Sequence, residues 1–210
     1  MRIIDLTLEL GKQSLSYPGT SAGLLLESVD SSSADCTLSQ FSHLDPHCGT
    51  HLDAPLHFTP GGADVATLPL IFPEIIVVSS PQGAISLDAL PDKPDIAGKA
   101  VLFATGWERH AGTQRFFESF PYLDPHLAEQ LADLGPALVG LDSPSVDDQA
   151  GSHPAHRLLL SAGIPIVEGL INLAALQSEL RAGRSARLAA FPLRIRALEG
   201  SPVRAVAIIE

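Results

Sequence analysis

The predicted fold class is a mixed α/β domain in three layers, and two observations predict it. Strand patterns dominate the N-terminal half of the 210-residue chain, whereas strands alternate with helices in the C-terminal half. Continuous apolar runs at 75–78 and 100–104 are typical of strands that are buried on both faces. No Gly-x-Gly-x-x-Gly turn follows a strand, which excludes a dinucleotide-binding Rossmann fold.

Periodicity and boundary residues then give the elements in order. Predicted strands cover residues 2–8, 24–29, 37–43, 74–79, 100–104, 137–141, 164–167, 186–193 and 203–209. Predicted helices cover 86–90, 125–134, 156–162 and 172–182, whereas 108–122 has no clear period. The second helix is marked at both ends, because Asp124 suits an N-cap, Pro125 suits the first turn and Gly135 suits a terminator.

The composition limits the partners and the compartment. A net charge of −11 argues against nucleic acid as a partner. Hydrophobic residues make up 45% of the chain, which favours one folded domain over residues 1–210 rather than disorder. Two cysteines do not make a disulfide framework. With no apolar signal segment and no run of transmembrane length, we expect a cytoplasmic protein with no membrane partner.

The stretch from 47 to 57 is the candidate functional centre. It contains three histidines and one aspartate, all at odd positions. If the stretch is extended, alternation places all four side chains on one face. The opposite face then carries Cys48, Thr50, Leu52, Ala54, Leu56 and Phe58, which suits a core. The face with the ligand-type side chains carries His47, His51, Asp53 and His57.

A helix would also bring His47 and His51 together, at i and i+4. Pro46, Gly49 and Pro55 disfavour that helix. A straight strand separates same-face neighbours four residues apart by about 13 Å, which is long for two ligands of one ion. The strand is therefore predicted to bend, with Gly49 as the bulge point and Pro55 as the end.

Imidazole and carboxylate groups together suit zinc or another first-row divalent ion. A lone histidine is more often a surface or structural residue, but three histidines and an aspartate in phase favour a metal site. Residues 47–57 need not close a ligand shell by themselves, and three downstream elements could complete it. The candidates are Asp142 and Asp147 past a strand end, His153 and His156 at a helix start, and Glu168 at a strand tip.

The chain resembles the metal-dependent cyclase family, whose members include bacterial kynurenine formamidases and isatin hydrolases. The specific motif is His-x-Gly-Thr-His-x-Asp-x-Pro-x-His at 47–57. Supporting motifs occur in the same order along most of the chain. They are Asp5-Leu6-Thr7, Tyr17-Pro18-Gly19, Thr105-Gly106-Trp107, Asp142-Ser143-Pro144-Ser145-Val146-Asp147, Pro154-Ala155-His156, Glu168-Gly169-Leu170 and Ser201-Pro202-Val203-Arg204-Ala205.

The resemblance implies a role for each matching residue. His47, His51 and Asp53 would bind a first metal ion, Asp53 and Glu168 would bridge to a second, and His156 would be a further ligand. His57 matches the family's proton donor and acceptor. Tyr17 stands where formamidases have a tryptophan, so it is a candidate to contact an aryl substrate. Phe58 is a second candidate, although a place in the core is favoured for it. The implied fold is a swivelling β/β/α domain, usually a homodimer or homotetramer, with zinc or manganese as the two divalent ions.

The implied reaction is hydrolysis of an amide in a small-molecule substrate. N-formyl-L-kynurenine would give L-kynurenine and formate, by attack of metal-activated water with His57 moving protons. Histidine suits this role because its unperturbed pKa is about 6.5. Two alternatives stay open: a hydrolase of another cyclic amide or lactone such as isatin, and a non-catalytic metal- or small-molecule-binding protein. A base beyond a sufficient ligand set favours an enzyme.

Overall fold

The computed structural model describes residues 2–11, 23–29, 37–80, 83–90, 95–149 and 151–210. These residues form twelve strands and three α-helices. The strands are β1 (Arg2–Asp5), β2 (Leu24–Val29), β3 (Leu38–Leu44), β4 (His51–Asp53), β5 (Ile75–Ser79), β6 (Ala84–Ile85), β7 (Ala100–Ala104), β8 (Tyr122–Leu123), β9 (Leu138–Leu141), β10 (Ile166–Glu168), β11 (Ala186–Pro192) and β12 (Gly200–Ile209). The helices are α1 (Pro125–Leu134), α2 (Pro154–Ser161) and α3 (Leu173–Arg181).

The main sheet is mixed and has the order β1-β12-β4-β10-β9-β7-β5, with β11 also paired to β12. Its β10, β9, β7 and β5 strands are parallel. Strand β4 is antiparallel to both of its neighbours, β10 and β12. The short strand β4 therefore lies between the parallel half of the sheet and the antiparallel half.

The long strand β12 makes the sheet curl. Residues 200–202 pair with β4, whereas residues 203–209 pair with β11 and 206–209 with β1. One strand thus joins the central sheet to a second layer formed by β1, β11 and the rest of β12. A core of aliphatic side chains that includes Leu52, Leu102, Val167 and Leu188 fills the space between these layers.

The other face of the parallel strands is covered by α1 and α2. Val101, Phe103, Leu127, Leu159 and Ile166 belong to this second core. Helix α3 instead contacts β5 and β7 from the side of the first core. The predicted mixed three-layer α/β class, with β, β and α layers, is confirmed.

Local signals placed most elements within a few residues. Asp124 caps α1 by accepting from the backbone N–H of His126, and Gly135 ends the helix in a left-handed conformation. The predicted helix at 86–90 is a 3-10 turn at Leu87–Ala89 instead. The aperiodic region 108–122 contains two further 3-10 turns, at Trp107–His110 and Gln114–Phe117. No helix in the described part of the chain is long and apolar enough to span a membrane.

Candidate metal centre

Strand β4 places the first group of candidate residues at the middle of the sheet. His51 lies opposite Glu168 of β10, and Asp53 lies opposite Gly200 of β12. Leu52, between them, points into the first core, so His51 and Asp53 point to the side covered by α2. The period-two pattern read from the sequence holds for these three residues.

Within 47–57 the strand covers residues 51–53 alone, so the four ligand-type side chains do not share one face of a straight strand. Residues 46–50 form a turn, in which Gly49 has a left-handed φ of 65°. Residues 55–57 form a 3-10 turn that begins at Pro55. Gly49 and Pro55 are thus the bend and the end that the sequence predicted. The ligand-type side chains converge because the chain folds around them, not because they alternate along a strand.

Two residues from the C-terminal half complete the cluster. Glu168 lies at the end of β10 and His156 lies in the first turn of α2, and both are buried. Nε2 of His156 is 3.3 Å from an oxygen of Asp53 and 3.3 Å from Oε1 of Glu168. Nε2 of His51 is 3.4 Å from the other Glu168 oxygen. Side chains more than one hundred residues apart therefore surround one small polar space.

The Asp53 carboxylate lies at the centre of this space and lacks a proper partner. Nitrogens of His47, His156 and His51 lie 2.8, 3.3 and 3.7 Å from its oxygens. Despite these short distances, neither oxygen accepts a well-aligned hydrogen bond within the described ranges. A buried carboxylate without donors is costly, so its oxygens are suited to a ligand that the protein binds.

Opposite charges in the cluster shift the pKa values of its members. Burial alone would raise the pKa of Asp53, but His156 and His47 hold it well below its usual value. Burial opposes protonation of His156, but Asp147, Asp53 and Glu168 raise its pKa well above 6.5. Burial likewise opposes protonation of His47, yet Asp53 and the charges of Glu168 and Glu199 raise its pKa to about 9. The cluster thus attracts positive charge strongly.

His47 is seated on the backbone of β12. A Cβ atom at Gly200 would lie 2.6 Å from Cε1 of the His47 ring, so only glycine leaves room for this ring. Glu199, the preceding residue, places Oε1 3.5 Å from Nε2 of His47. Sequence reasoning missed Glu199, because no local motif marks it and only the pairing of β12 with β4 brings it here.

His57 lies beside the ligand-type residues and makes no ion pair among them. Its ring centroid is 4.4 Å from that of His47 and 5.7 Å from that of His156. Burial lowers the pKa of His57 to about 4; Asp53 opposes this shift, whereas His47 and His156 add to it. The His57 ring is therefore neutral near pH 7. Its pKa lies below the unperturbed value of about 6.5 that the sequence suggested.

Phe58 forms an aromatic wall at this site. Its ring lies 4.6 Å from His57, 4.9 Å from His156 and 5.4 Å from His153, and the Arg157 guanidinium lies 5.3 Å from its centroid. The side chain is half-buried and also packs against the second core. The sequence offered two interpretations of Phe58, a core residue and an aromatic residue at the site. The structure shows contacts of both kinds.

Of the remaining four candidates, three lie in different places of the structure. Asp147 contacts His156, with Oδ2 2.6 Å from Nδ1, so it lies behind the cluster. Asp142 instead points to the turn at 105–107 and accepts hydrogen bonds there. His153 begins α2 with a left-handed φ of 50° and lies next to Phe58. Tyr17 lies outside the described residues.

Several subsets of this cluster can hold a metal ion. Potential ligand atoms lie within 4.8 Å of one another in four groups. These are His47-His51-Asp53, Asp53-His57-His156, His47-His57-Glu199 and Asp147-His153-His156. The orphaned Asp53 oxygens and the unpartnered Nε2 of His47 show that the donor set fits a cation.

Comparison with known proteins identifies the family. The Cyclase family model, described as "Putative cyclase", matches residues 4–148. This chain belongs to the Cyclase family. A kynurenine formamidase of Geobacillus thermodenitrificans (strain NG80-2) is 36% identical over 168 residues, which cover 77% of this chain and 76% of that protein. A kynurenine formamidase of Paracidovorax citrulli (strain AAC00-1) is 33% identical over 181 residues, covering 78% and 76% of the two chains.

Solved structures in the family share the fold. A crystal structure of an isatin hydrolase bound to the product analogue thioisatinate superposes with a TM-score of 0.83 at 24% sequence identity. The match covers 99% of this chain and 92% of that one. At this level of identity the likeness supports the curled mixed sheet and its layers.

Proposed function

We propose that this Cyclase-family chain is a metal-dependent hydrolase that cleaves a C–N amide bond. The observation that carries the proposal is the buried Asp53 carboxylate, which accepts no well-aligned hydrogen bond from the described residues and lies among histidine nitrogens close to Glu168. The kynurenine formamidase relatives support the reaction class. A non-catalytic binding protein is disfavoured by His57, a neutral histidine that lies outside the His47-His51-Asp53 group of potential ligands.

In this proposal two divalent ions occupy the cluster. His47, His51 and Asp53 would hold the first, His156 would hold the second, and the carboxylates of Asp53 and Glu168 would be shared between them. Imidazole with carboxylate suits zinc, with manganese as the second choice. Ions bound there would supply Lewis acidity and lower the pKa of a coordinated water from 15.7 to about 7.

His57 moves protons in the proposed reaction. Because burial keeps its ring neutral near pH 7, a ring nitrogen is free to accept a proton from the attacking water. The same proton can then pass to the leaving nitrogen of the amide. Phe58 packs against His57 and His156, which limits their ring orientations and excludes water from one side of the site.

The proposed substrate is an aryl formamide such as N-formyl-L-kynurenine, and a cyclic amide such as isatin is the second candidate. The formamidase relatives at 33–36% identity favour the first, whereas the isatin hydrolase structure at 24% identity speaks for the fold alone. Absorbance-monitored turnover of both compounds separates the candidates. We expect N-formylkynurenine to have the higher kcat/KM; faster turnover of isatin would reverse the assignment.

Removal of the metal tests the reaction class itself. We expect dialysis against a chelator to abolish activity and lower the melting temperature, because ligands that bind only the folded state stabilise it. Zinc or manganese should restore both. Full activity in protein that elemental analysis shows to be metal-free would refute the proposed metallohydrolase.

A second copy of the chain is the proposed partner. Phe191, at the end of β11, and Leu193 and Ile195, just beyond it, are 36%, 54% and 44% exposed. Phe72 extends this apolar surface, with its ring 5.2 Å from that of Phe191. Large exposed apolar patches mark interfaces. Light scattering should give a dimer or tetramer, and Leu193→Glu should shift it towards the monomer; a wild-type monomer at micromolar concentration would refute the assembly.

A further inference from the structure

Asp147 has an arrangement of contacts that the proposed reaction does not use directly. It is buried in the loop between β9 and α2. Its Oδ1 accepts from the backbone N–H of Ala155 at 2.8 Å. Its Oδ2 accepts from the backbone N–H of His156 at 3.0 Å and lies 2.6 Å from Nδ1 of the same residue. The carboxylate therefore holds both the main chain and the ring of His156.

The contact with Nδ1 decides where the His156 ring proton lies. An ionised carboxylate can only accept hydrogen bonds, so Nδ1 must carry a proton. When a metal ion displaces the second ring proton, the lone pair that becomes available is the one on Nε2. Nε2 is the nitrogen that lies 3.3 Å from both Asp53 and Glu168. The tautomer that Asp147 selects thus directs the lone pair into the cluster.

The other two ligand-type histidines are held differently. Nδ1 of His51 lies 2.9 Å from the backbone oxygen of Gly49, which is a neutral acceptor. Nε2 of His47 is 3.5 Å from Glu199, whose side chain is 36% exposed. His156 differs from both. Its Nδ1, the ring nitrogen that faces away from Asp53 and Glu168, lies 2.6 Å from the buried carboxylate of Asp147.

The same loop also orients Glu168. The backbone N–H of Val146 donates to Oε1 of Glu168 at 2.7 Å. Ser145 Oγ in turn accepts from the backbone N–H of Asp147 at 3.2 Å. The hydrogen bond to Ser145 fixes the backbone of Asp147. A displacement of this loop would therefore affect both Glu168 and His156.

We propose that Asp147 is a positioning residue that holds His156 as the Nδ1–H tautomer, so that Nε2 is presented to a metal ion shared with Asp53 and Glu168. This inference rests on the proposed metal-dependent function. Asp147 touches neither the ion nor the substrate in it. Outer-shell carboxylates of this kind typically contribute a factor of about 10–100 in metal affinity.

The substitution Asp147→Asn tests the proposal because an amide cannot reproduce the carboxylate. If the amide NH₂ replaces Oδ1, it faces the N–H of Ala155. Both groups are donors, so no hydrogen bond can form between them. If the NH₂ replaces Oδ2, it faces Nδ1 of His156 and favours the tautomer with the proton on Nε2. The first arrangement leaves a weaker, neutral acceptor at Nδ1 and loses the Ala155 contact, whereas the second removes the Nε2 lone pair.

The first measurement is zinc affinity, determined by competition with a chromophoric chelator. We expect zinc binding to Asp147→Asn to weaken by about 10–100-fold relative to wild type. Asp133→Asn, an exposed neutralisation on α1, is the matched control and should bind zinc like wild type. Wild-type protein that binds neither zinc nor manganese would refute the proposed function. Zinc-binding wild type with an equally tight Asp147→Asn variant would refute only the role of Asp147.

The second measurement does not depend on the folding of a variant. Long-range proton–nitrogen NMR correlations on zinc-loaded wild type should show the His156 proton on Nδ1. A proton on Nε2, or zinc bound through Nδ1, would overturn the proposal. In Asp147→Asn we expect the Nδ1–H signal to weaken or disappear. Reduced zinc affinity with an unchanged His156 tautomer would also overturn the proposal, because Asp147 would then have only a structural role.

Discussion

Two buried aspartates, Asp53 and Asp142, have the same side chain and the same 1% exposure but opposite surroundings. Asp142 accepts from three consecutive backbone N–H groups at 105–107 and from the Thr105 hydroxyl. Asp53 accepts no well-aligned hydrogen bond from the described residues. A satisfied buried carboxylate holds a turn together, whereas an orphaned one among histidines is suited to a bound cation.

The largest expected difference between Asp53 and Asp142 is the effect of their substitution on bound metal and on turnover. Asp53→Asn should leave no bound metal after dialysis and no turnover above that of metal-free wild type, because Asp53 is proposed to bridge both ions. Asp142→Asn should retain metal, since its carboxylate faces the 105–107 turn. Elemental analysis and turnover of both purified variants provide the measurement. Equal metal loss in the two variants would remove the distinction.

His57 sharpens the comparison inside the cluster. His57→Ala should keep near-normal metal content and folding, but its kcat should fall by about 10²–10⁴-fold, because a positioned acid–base group contributes on that scale. Glu168→Ala, a proposed bridging ligand, should lose metal instead. A metal-depleted His57→Ala variant would make His57 a ligand, with His153 as the nearest other candidate base, and wild-type turnover would make His57 a bystander.

Asp142 should show its effect in stability. Asp142→Asn places one NH₂ group against backbone donors, so we expect it to lower the free energy of unfolding by about 1–3 kcal/mol. For a chain of this size, each kcal/mol corresponds to roughly 2–4 °C in melting temperature. Asp133→Asn is the exposed control. Melting of Asp142→Asn at the wild-type temperature would contradict the structural role.

The smallest predicted effect is the pH dependence of the metal-free protein. The pKa of His47 is raised to about 9, so its contribution to stability is complete below pH 6.5 and is lost as pH rises to 9. The pKa of His57 is lowered to about 4, so its contribution is present above pH 6.5 and is lost as pH falls to 4. Stability should therefore be greatest near pH 6.5, with each histidine contributing at most about 3 kcal/mol.

Urea unfolding at several pH values measures this profile. His57→Ala should remove most of the loss between pH 6.5 and 4, and Asp53→Asn should reduce the loss between pH 6.5 and 9, because Asp53 raises the pKa of His47. A flat profile in metal-free wild type would show that the cluster does not carry the predicted charges.

Local patterns were sufficient where local forces decide the structure. The limits of α1 follow from Asp124, Pro125 and Gly135, and each acts within one turn. The apolar runs of β5 and β7 predicted buried strands because both faces of these strands are covered. The bend at Gly49 followed from the same local reasoning, although the full extended stretch from 47 to 57 did not form.

The parts that sequence reasoning missed depend on pairing between distant segments. Glu199 reaches His47 only because β12 leaves β4 and continues along β11 and β1. Asp142 and Asp147 share one motif, and the sequence offered both as possible ligands. Their different orientations depend on the 105–107 turn and on the first turn of α2. Residues 1–210 as one domain, and the site roles, stay predictions.

The central claim is that the orphaned carboxylate of Asp53 binds metal together with Glu168 and the histidines. Anomalous X-ray diffraction from crystals of the zinc-loaded protein tests it most directly. The account predicts zinc peaks at coordination distance, about 2.0–2.2 Å, from oxygens of both Asp53 and Glu168. A zinc-saturated crystal with no peak between these two carboxylates would contradict it.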